Sequence, residues 1–450
     1  MESKEGTTME TSSSKFVSPR LQRIAKLARE APGMVFTTLN PALDLALLKE
    51  AYRRTRKDGA TGVDGRTAAE YSEHLEENLR SLLDRAKSGL YRAPPVRRVH
   101  IPKDKAGETR PLGIPTFEDK VLQRAVAMVL EAVFEVDFHP FSYGFRPGRS
   151  AHQLLEDLRQ QMQSQWGGWV LEADIRKFFD SVDHQRFREV LARRVRDGVI
   201  TRLIGKWLKA GVFESGQVSY PERGTPQGGV ISPLLANIFL HEVLDEWWVR
   251  DVLPRLRRGR HLYRYADDFV AVFLDEGDAR RVMEVLPKRF EKYGLTIHPD
   301  KTRLVRFKAP RKDGSGPEPG MFDLLGFTHR WQRSRKGVWV VRKVTAPNRF
   351  RRGLSRLSQW LRKARYLPIG VQRDGLVRRL HGHYGYYGLT GNSQALGRFR
   401  WAALSLWRHW LRRRSQRAPM PWDRFKRLLR HHPVPPARAV HSIYARAATR

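Results

Sequence analysis

Cysteine is missing from the 450-residue sequence. Its absence excludes disulfide bonds, cysteine-ligated zinc and thiolate catalysis. Also missing is any apolar run of roughly 18 residues, the length that a membrane-spanning helix requires. The polar segment from Met1 to Lys15 lacks the apolar stretch of a secretory signal peptide. We therefore expect a soluble, cytoplasmic protein with no membrane partner.

Acidic residues are scarce relative to basic ones. The chain has 84 Lys and Arg against 47 Asp and Glu, which gives a net charge of +37. Arginine, with 63 residues, outnumbers lysine, with 21. A guanidinium group binds phosphate oxygens through two hydrogen bonds and stacks on bases, so this composition favours a nucleic-acid partner.

The excess of basic residues is largest in the last quarter of the chain. Residues 345–450 contain 24 Lys or Arg and only two acids, Asp374 and Asp423. A solvated basic surface is one interpretation of this segment. Its tryptophans and tyrosines, interleaved with the arginines, favour contact with nucleic acid instead.

Two adjacent aspartates, Asp267 and Asp268, lie between two short apolar runs at 261–263 and 269–274. This pattern predicts a β-hairpin with the acids at its tight turn. Such a pair is most often just a polar turn. The alternative is a site for a divalent cation, because acids between apolar strands cost folding free energy unless their charge is neutralised.

A third aspartate, Asp174, follows a predicted buried strand at 169–173. If this strand neighbours the hairpin, three carboxylates meet at one edge of a sheet. Two Mg²⁺ ions about 4 Å apart, held in this way, activate a 3′-hydroxyl and stabilise a leaving pyrophosphate. The other interpretation of Asp174 is a cap of the following turn, although Asp180 and Asp183 are better placed for that role.

A basic segment at 96–115 predicts a β-ribbon, and it contains Lys103 and Arg110. Two interpretations stay open: a charged edge that prevents aggregation, or a ribbon that holds a triphosphate. The segment 224–229 is rich in glycine and predicts a loop whose backbone a ligand can approach closely. Apolar periodicity predicts helices at 18–32, 42–53, 67–87 and 117–134, and three more between 348 and 414.

Seven short motifs follow one another in an order that is typical of one family. They lie at 61–65, 101–103 with 110–115, 143–148, 174–180, 224–229 with 232–234, 265–268 and 325–327. With these motifs the chain resembles a bacterial group II intron-encoded reverse transcriptase and maturase of the type that lacks an endonuclease module. The resemblance extends from about Leu21 to the end of the sequence.

The resemblance implies roles for individual residues. The catalytic carboxylates that hold two Mg²⁺ ions would be Asp174, Asp267 and Asp268, with the main-chain carbonyl of Ile175 completing one metal site. Phe179 would exclude the 2′-hydroxyl of a ribonucleotide.

Other implied roles concern the substrates. The incoming dNTP would be bound by Lys103, Arg110, Phe179, Gln227 and Lys301, of which Lys301 would protonate the leaving pyrophosphate. Template or primer would be bound by Arg146, Gly326 and Phe327. Group II intron RNA, an RNA template and a DNA primer or target would be the partners, and a homodimer is compatible with the sequence.

The resemblance also implies an α+β fold: a right-hand polymerase, with fingers and an antiparallel palm sheet, followed by an all-α thumb. The expected organisation is a disordered tail at 1–17, an N-terminal extension at 18–54, fingers and palm at 55–330, a thumb and maturase domain at 331–414, and a basic module for DNA or RNA at 415–450. Without an endonuclease module, the primer would have to come from elsewhere, such as nascent DNA at a replication fork.

Two alternatives compete with an active intron polymerase. One is a maturase that only assists splicing, with a vestigial polymerase. The other is a related reverse transcriptase of a retron, diversity-generating or CRISPR-linked system. The tyrosines at 384–387 are explained equally well by maturase function and by packing within the thumb.

Overall fold

The computed structural model describes residues 18–102, 109–214, 216–220, 228–257, 261–311, 313, 317–414 and 419–441. These residues divide into two compact units. The N-terminal unit comprises 18–158 and 168–305, and the C-terminal unit comprises 159–167 and the described residues from 306 onward. The division therefore falls at 305/306, whereas the sequence placed the end of the polymerase domains at 330. The domain assignment remains a prediction, and the tail at 1–17 lies outside the described residues.

The α-helices follow one another along both units. In chain order they are α1 Pro19–Glu30, α2 Leu45–Arg54, α3 Ala68–Glu73, α4 Leu75–Ser88, α5 Phe117–Phe134, α6 Ala151–Ser164, α7 Phe178–Ser181, α8 His184–Leu191, α9 Gly198–Leu208, α10 Ser232–Leu240, α11 Glu276–Glu291, α12 Pro347–Ala364, α13 Ile369–Tyr387, α14 Ser393–Arg412 and α15 Trp422–His431. Two π-helical segments, His241–Glu246 and Trp248–Val252, continue α10.

The β-strands are short, none of them exceeding seven residues among those described. In chain order they are β1 Val96–Pro102, β2 Thr109–Ile114, β3 Trp169–Ala173, β4 Val212–Glu214, β5 Gln217–Ser219, β6 His261–Tyr265, β7 Asp268–Phe273, β8 Arg303–Arg306, β9 Phe322–Leu324, β10 Phe327–Arg333 and β11 Trp339–Thr345. They form three sheets with the orders β2-β1-β4-β5, β6-β7-β3-β8 and β11-β10-β9.

Several helices begin where local chemistry favours a helix start. The Ser18 side chain accepts a hydrogen bond from the backbone N–H of Leu21, and proline follows at the first helical position. Asp183 likewise accepts from the N–H groups of Gln185 and Arg186. These side chains satisfy backbone donors that the first turn of a helix leaves without partners.

The predicted single helix at 67–87 is wrong, because the chain leaves helical geometry at His74, between α3 and α4. A capping box between Thr67 and Glu70 begins α3. The side-chain amide of Asn78 donates to the carbonyl of Tyr71 at 3.0 Å. This bond satisfies one acceptor at the end of α3, which helps the break to persist.

The N-terminal unit packs around α5, whose residues are buried on nearly every side. From Ala125 to Phe134 the helix is apolar except at Glu131, as expected for a central core helix. In the second sheet, β3 pairs with β7 and β6 pairs with β7, both antiparallel. The predicted hairpin at 261–274 is therefore confirmed. The predicted ribbon is also confirmed, since β1 and β2 pair antiparallel from Arg97 to Pro102.

The C-terminal unit has its own core, formed by the inward faces of α12, α13 and α14. Leu361, Leu380, Leu396 and Trp407 are completely buried in this core. An antiparallel sheet of β9, β10 and β11 precedes these helices. The chain is thus a protein of helices and largely antiparallel sheets, with one parallel pair between β1 and β4, which confirms the α+β prediction. Among the described helices, none is long and apolar enough to cross a bilayer.

Candidate active site

The two adjacent aspartates lie at the turn that joins β6 to β7. Tyr265 pairs with Asp268, so Ala266 and Asp267 form a two-residue connection. Ala266 has a φ of 55°, a left-handed conformation that is unfavourable for a residue with a Cβ atom. Asp267 is half-buried and Asp268 is exposed. The acids are therefore accessible at the end of a sheet whose strands are buried.

The strand register brings Asp174 to the same end of the sheet. Ala173 on β3 pairs with Phe269 on β7. The next position along each strand therefore places Asp174 opposite Asp268. The condition set by the sequence, that the two strands be neighbours, is met.

Lys301 is a cationic partner of Asp174. Its ammonium nitrogen lies 2.5 Å from Oδ2 of the Asp174 carboxylate. The backbone N–H of His298 donates to the carbonyl oxygen of Asp174 at 2.8 Å. Lys301 ends a short 3₁₀ turn, Pro299–Lys301, so this segment is attached to the end of β3 at two points.

Behind the turn lies a buried arginine, Arg264. Its guanidinium donates two hydrogen bonds to the buried carboxylate of Asp245, from Nε to Oδ1 at 2.8 Å and from Nη2 to Oδ2 at 2.5 Å. Its Nη1 donates to Oδ1 of Asn237 at 2.9 Å and to the carbonyl of Ala266 at 3.2 Å. Because all three side chains are inaccessible to solvent, these bonds hold the carbonyl of the strained residue in a region of low dielectric constant.

Gly144 packs directly against the same turn. A Cβ atom at this position would lie 2.3 Å from the backbone nitrogen of Ala266. The carbonyl of Gly144 accepts a hydrogen bond from the side-chain amide of Asn237 at 2.6 Å. The position therefore requires glycine because two backbone segments meet there.

Sequence reasoning did not assign roles to Asn237, Asp245 or Arg264. A signal was present for Asn237, because it is a polar residue in the middle of the apolar helical run at 234–240. Buried polar side chains require partners. The identity of the partner, however, depends on a contact between α10 and a distant strand.

Ile175, a candidate metal ligand, and Phe179, the candidate for excluding a ribose 2′-hydroxyl, follow Asp174 closely in the chain. Ile175 is buried and forms an antiparallel bridge with Ile297. Phe179 is half-buried in α7, and its ring packs edge-on against Phe178 with ring centroids 5.2 Å apart. Lys177 precedes them with a φ of 47°, which turns the chain sharply between β3 and α7.

Of three further candidates for nucleotide binding, the structure describes only the position of Arg110. Lys103 and Gln227 lie outside the described residues. Arg110 lies in β2, where it pairs with Ile101 of β1. Their predicted roles remain predictions.

Arg146 is not available for the predicted contact with template or primer. It is buried, and its guanidinium is bound by the carboxylate of Glu135 and by the carbonyls of His139 and Ser142. Exposing the group to a nucleic-acid strand would break these bonds and leave Glu135 without its cationic partner. We assign Arg146 to the support of its own loop instead.

The two predicted primer contacts of the C-terminal unit lie at the turn between β9 and β10. Phe327 is completely buried and packs against Tyr386 and Tyr387. Gly326 is half-buried with a φ of 79°. Any contact with a primer therefore falls to the Leu325–Gly326 turn, because the phenylalanine ring is covered.

Known proteins with similar sequences include group II intron proteins. The chain is 39% identical over 229 residues to the group II intron-encoded protein LtrA of Lactococcus lactis subsp. cremoris, covering 50% of this chain and 37% of that protein. It is 38% identical over 239 residues to the protein YkfC of Escherichia coli, covering 47% of this chain and 62% of YkfC. It is 24% identical over 212 residues to nuclear intron maturase 4 of Arabidopsis thaliana, covering 47% and 24%. The matched segment thus spans less than two thirds of each of these relatives.

A family model describes the same region. The model for reverse transcriptase (RNA-dependent DNA polymerase) matches residues 101–334, more than half of the chain. This range includes Asp174, Asp267 and Asp268, which the strand register places at one end of a sheet. The chain belongs to the reverse transcriptase (RNA-dependent DNA polymerase) family.

Proposed function

We propose that this chain is an RNA-directed DNA polymerase that adds nucleotides to a primer 3′-hydroxyl, and that it also binds a group II intron RNA and assists its splicing and mobility. The observation that carries the polymerase function is the register that sets Asp174 opposite Asp268, next to Asp267. The names of two relatives, an intron-encoded protein and an intron maturase, support the intron partner.

The donor set fits a divalent cation, which reverse transcriptases in general use. Carboxylate oxygens are the ligands that Mg²⁺ prefers, and it keeps other positions for water and phosphate. The ammonium of Lys301 already lies against Asp174, as expected where carboxylates attract a cation. Within the described residues the oxygens of the three aspartates are not gathered within 4.8 Å of one another. Binding of metal therefore requires these carboxylates to move closer together, and we propose that the Lys301–Asp174 ion pair opens as they do.

We propose that Asp174, Asp267, Asp268 and the carbonyl of Ile175 hold two Mg²⁺ ions. Bound there, the ions would lower the pKa of the primer hydroxyl and neutralise charge on the triphosphate. Once released from Asp174, the ammonium of Lys301 is free to donate a proton to the leaving pyrophosphate. The ring of Phe179 covers the space beside a 2′-hydroxyl. Lys103, Arg110 and Gln227 bind the incoming dNTP.

The polymerase function is tested by an Asp267→Ala variant. With a primed RNA, dNTPs and Mg²⁺, the parent protein makes cDNA, and we expect the variant to make none. Asp251→Ala is the matched control, because Asp251 is an exposed aspartate of the same unit. If Asp267→Ala makes cDNA at the parental rate, the assignment of Asp267 as a ligand of the catalytic metal is wrong.

The proposed role of Phe179 in excluding ribonucleotides is tested by comparing dNTP and rNTP incorporation. We expect Phe179→Ala to incorporate ribonucleotides more readily, because the side chain that meets the 2′-hydroxyl is gone. Phe179→Tyr keeps the ring and should keep the parental preference. An unchanged preference in Phe179→Ala would contradict this role.

The splicing function is tested separately with a precursor RNA that contains the intron. We expect Asp267→Ala to promote splicing as the parent does, because RNA binding does not require the carboxylates. A parent protein that promotes splicing but makes no cDNA would favour the splicing-only maturase. A parent that makes cDNA but does not affect splicing would favour a reverse transcriptase of another lineage.

A further inference from the structure

A cluster of two histidines and a glutamate lies on the N-terminal unit, apart from the three aspartates. His139 precedes the loop that pairs with β6, and His241 and Glu246 are the first and last residues of the π-helical segment. One donor atom from each side chain lies within 4.8 Å of the other two. All three side chains are partly buried.

The π-helix accounts for the arrangement of two of these donors. Its hydrogen bonds join residue i to residue i+5, so residues five apart lie one above the other. His241 and Glu246 are separated by this interval. Such segments are frequently found at functional sites.

The donor distances suit a single transition-metal ion. Nε2 of His139 lies 2.8 Å from Oε1 of Glu246, and Nε2 of His241 lies 3.5 Å from the same oxygen. Ligands placed about 2.0–2.2 Å from a tetrahedral Zn²⁺ ion are separated by about 3.3 Å. Glu246 keeps its other oxygen, Oε2, for Arg250 at 2.6 Å.

Both ring nitrogens of His241 face carboxylate oxygens. Nδ1 lies 3.7 Å from Oδ2 of Asp245, and Nε2 lies 3.5 Å from Oε1 of Glu246. Nδ1 is buried and makes no hydrogen bond within the described residues. In either neutral tautomer, one lone pair points toward negative charge. A metal on Nε2 removes this conflict, because Nδ1 then carries the proton and faces Asp245, as a carboxylate does behind many zinc-bound histidines.

We propose that His139, His241 and Glu246 form a binding site for one Zn²⁺ ion, with the remaining coordination position taken by water. Two imidazoles and one carboxylate are a donor set that zinc accepts. The site would fasten the loop of His139 to the π-helix. That loop is bonded to β6, since the backbone N–H of Arg264 donates to the carbonyl of Phe141 at 3.0 Å. The metal would therefore stabilise the strand that leads to the Ala266–Asp267 turn.

The test is calorimetric titration of the tag-free full chain with ZnCl₂ after treatment with a chelator. Excess Mg²⁺ is kept in the buffer to occupy the three aspartates. We expect saturable binding of one Zn²⁺ per chain, and a rise in unfolding temperature when it binds. His139→Ala and His241→Ala should each lose this binding. His74→Ala is the matched control, since His74 is exposed and distant in sequence from the cluster.

Two results would overturn the proposal. One is the absence of saturable Zn²⁺ binding by the parent chain. The other is binding by the His139→Ala and His241→Ala variants equal to that of the parent. If a variant fails to fold, Co²⁺ replaces Zn²⁺ in the parent chain. A visible absorption band of tetrahedral Co²⁺ that Zn²⁺ removes supports the site, and its absence refutes it.

Discussion

The turn at Ala266–Asp267 and the turn at Leu325–Gly326 both join antiparallel strands through two residues. Each begins with a non-glycine residue of positive φ, 55° at Ala266 and 50° at Leu325. In the second turn, glycine follows with a φ of 79° and adopts a left-handed conformation at no steric cost. The first turn contains no glycine, because its second position carries an aspartate of the candidate site. The two turns thus share a left-handed first residue, but only the second turn also has a left-handed second residue, which is its glycine.

Their supports differ accordingly. The carbonyl of Ala266 accepts from Arg264, which is held by the buried carboxylate of Asp245. The carbonyl of Leu325 accepts from the hydroxyl of Tyr386 at 2.8 Å. Strained residues persist only where their surroundings determine them fully. We infer that the turn with the acids needs a buried ion pair, whereas the turn with glycine needs only a neutral hydrogen bond.

The largest effect is expected from Asp245→Ala, which removes one partner of the buried ion pair. An arginine left buried without its carboxylate costs about 3–5 kcal/mol of unfolding free energy. Asp251→Ala is the control, because its pair with Arg255 is exposed and is worth at most about 1 kcal/mol. Denaturant unfolding of both variants measures the difference. Similar losses in the two would show that the Arg264–Asp245 pair is not what supports the turn.

Gly144→Ala tests the contact on the other side of the same turn. The added methyl group would meet the backbone nitrogen of Ala266 at 2.3 Å, and a backbone atom cannot rotate away. We expect a loss toward the upper end of about 1–3 kcal/mol, together with a lower kcat for cDNA synthesis. Gly382→Ala is the control, because Gly382 lies in α13 with open space around it. There alanine should stabilise the helix by about 0.5–1 kcal/mol. A parental kcat in Gly144→Ala would contradict this prediction.

Lowering the pH should destabilise the C-terminal unit, which contains the Leu325–Gly326 turn, through two buried histidines. Burial lowers the pKa of His383, which packs against Tyr387, to about 4. Burial and, second, the charge of Lys343 lower the pKa of His329 to about 3. Both histidines are neutral in the fold but gain a proton on unfolding below their ordinary value of 6.5. Stability is therefore complete above pH 6.5 and falls with decreasing pH, by about 2 kcal/mol per histidine at pH 5.

The support of the first turn should not weaken over this range. Burial alone would raise the pKa of Asp245, but the charge and hydrogen bonds of Arg264 lower it below 3.8. Calorimetric unfolding at pH 7 and pH 5 should show destabilisation of the C-terminal unit, reduced in His383→Phe. An equal pH dependence in that variant would contradict the assignment to His383.

Residues whose role depends on neighbours in the chain were predictable from the sequence. The hairpin of Asp267 and Asp268, the strand before Asp174 and the cap at Asp183 follow from periodicity and turn chemistry. Roles that depend on distant contacts were not. Arg146 resembles a ligand for phosphate until its pairing with Glu135 is seen, and Arg264 cannot be assigned before Asp245 is known to face it. The charge of an arginine is visible in a sequence, but its burial is a property of the fold.

The smallest effect is expected from Tyr386→Phe, which removes the hydroxyl that donates to Leu325 but keeps the ring beside Phe327. A neutral hydrogen bond contributes about 0.5–1.5 kcal/mol, and the glycine of this turn limits the strain that the bond must hold. Tyr366→Phe, at an exposed tyrosine of the same unit, should change the unfolding free energy by less than about 0.5 kcal/mol. A loss in Tyr386→Phe as large as that in Asp245→Ala would mean that the turn with glycine depends on its support as strongly as the turn with the acids.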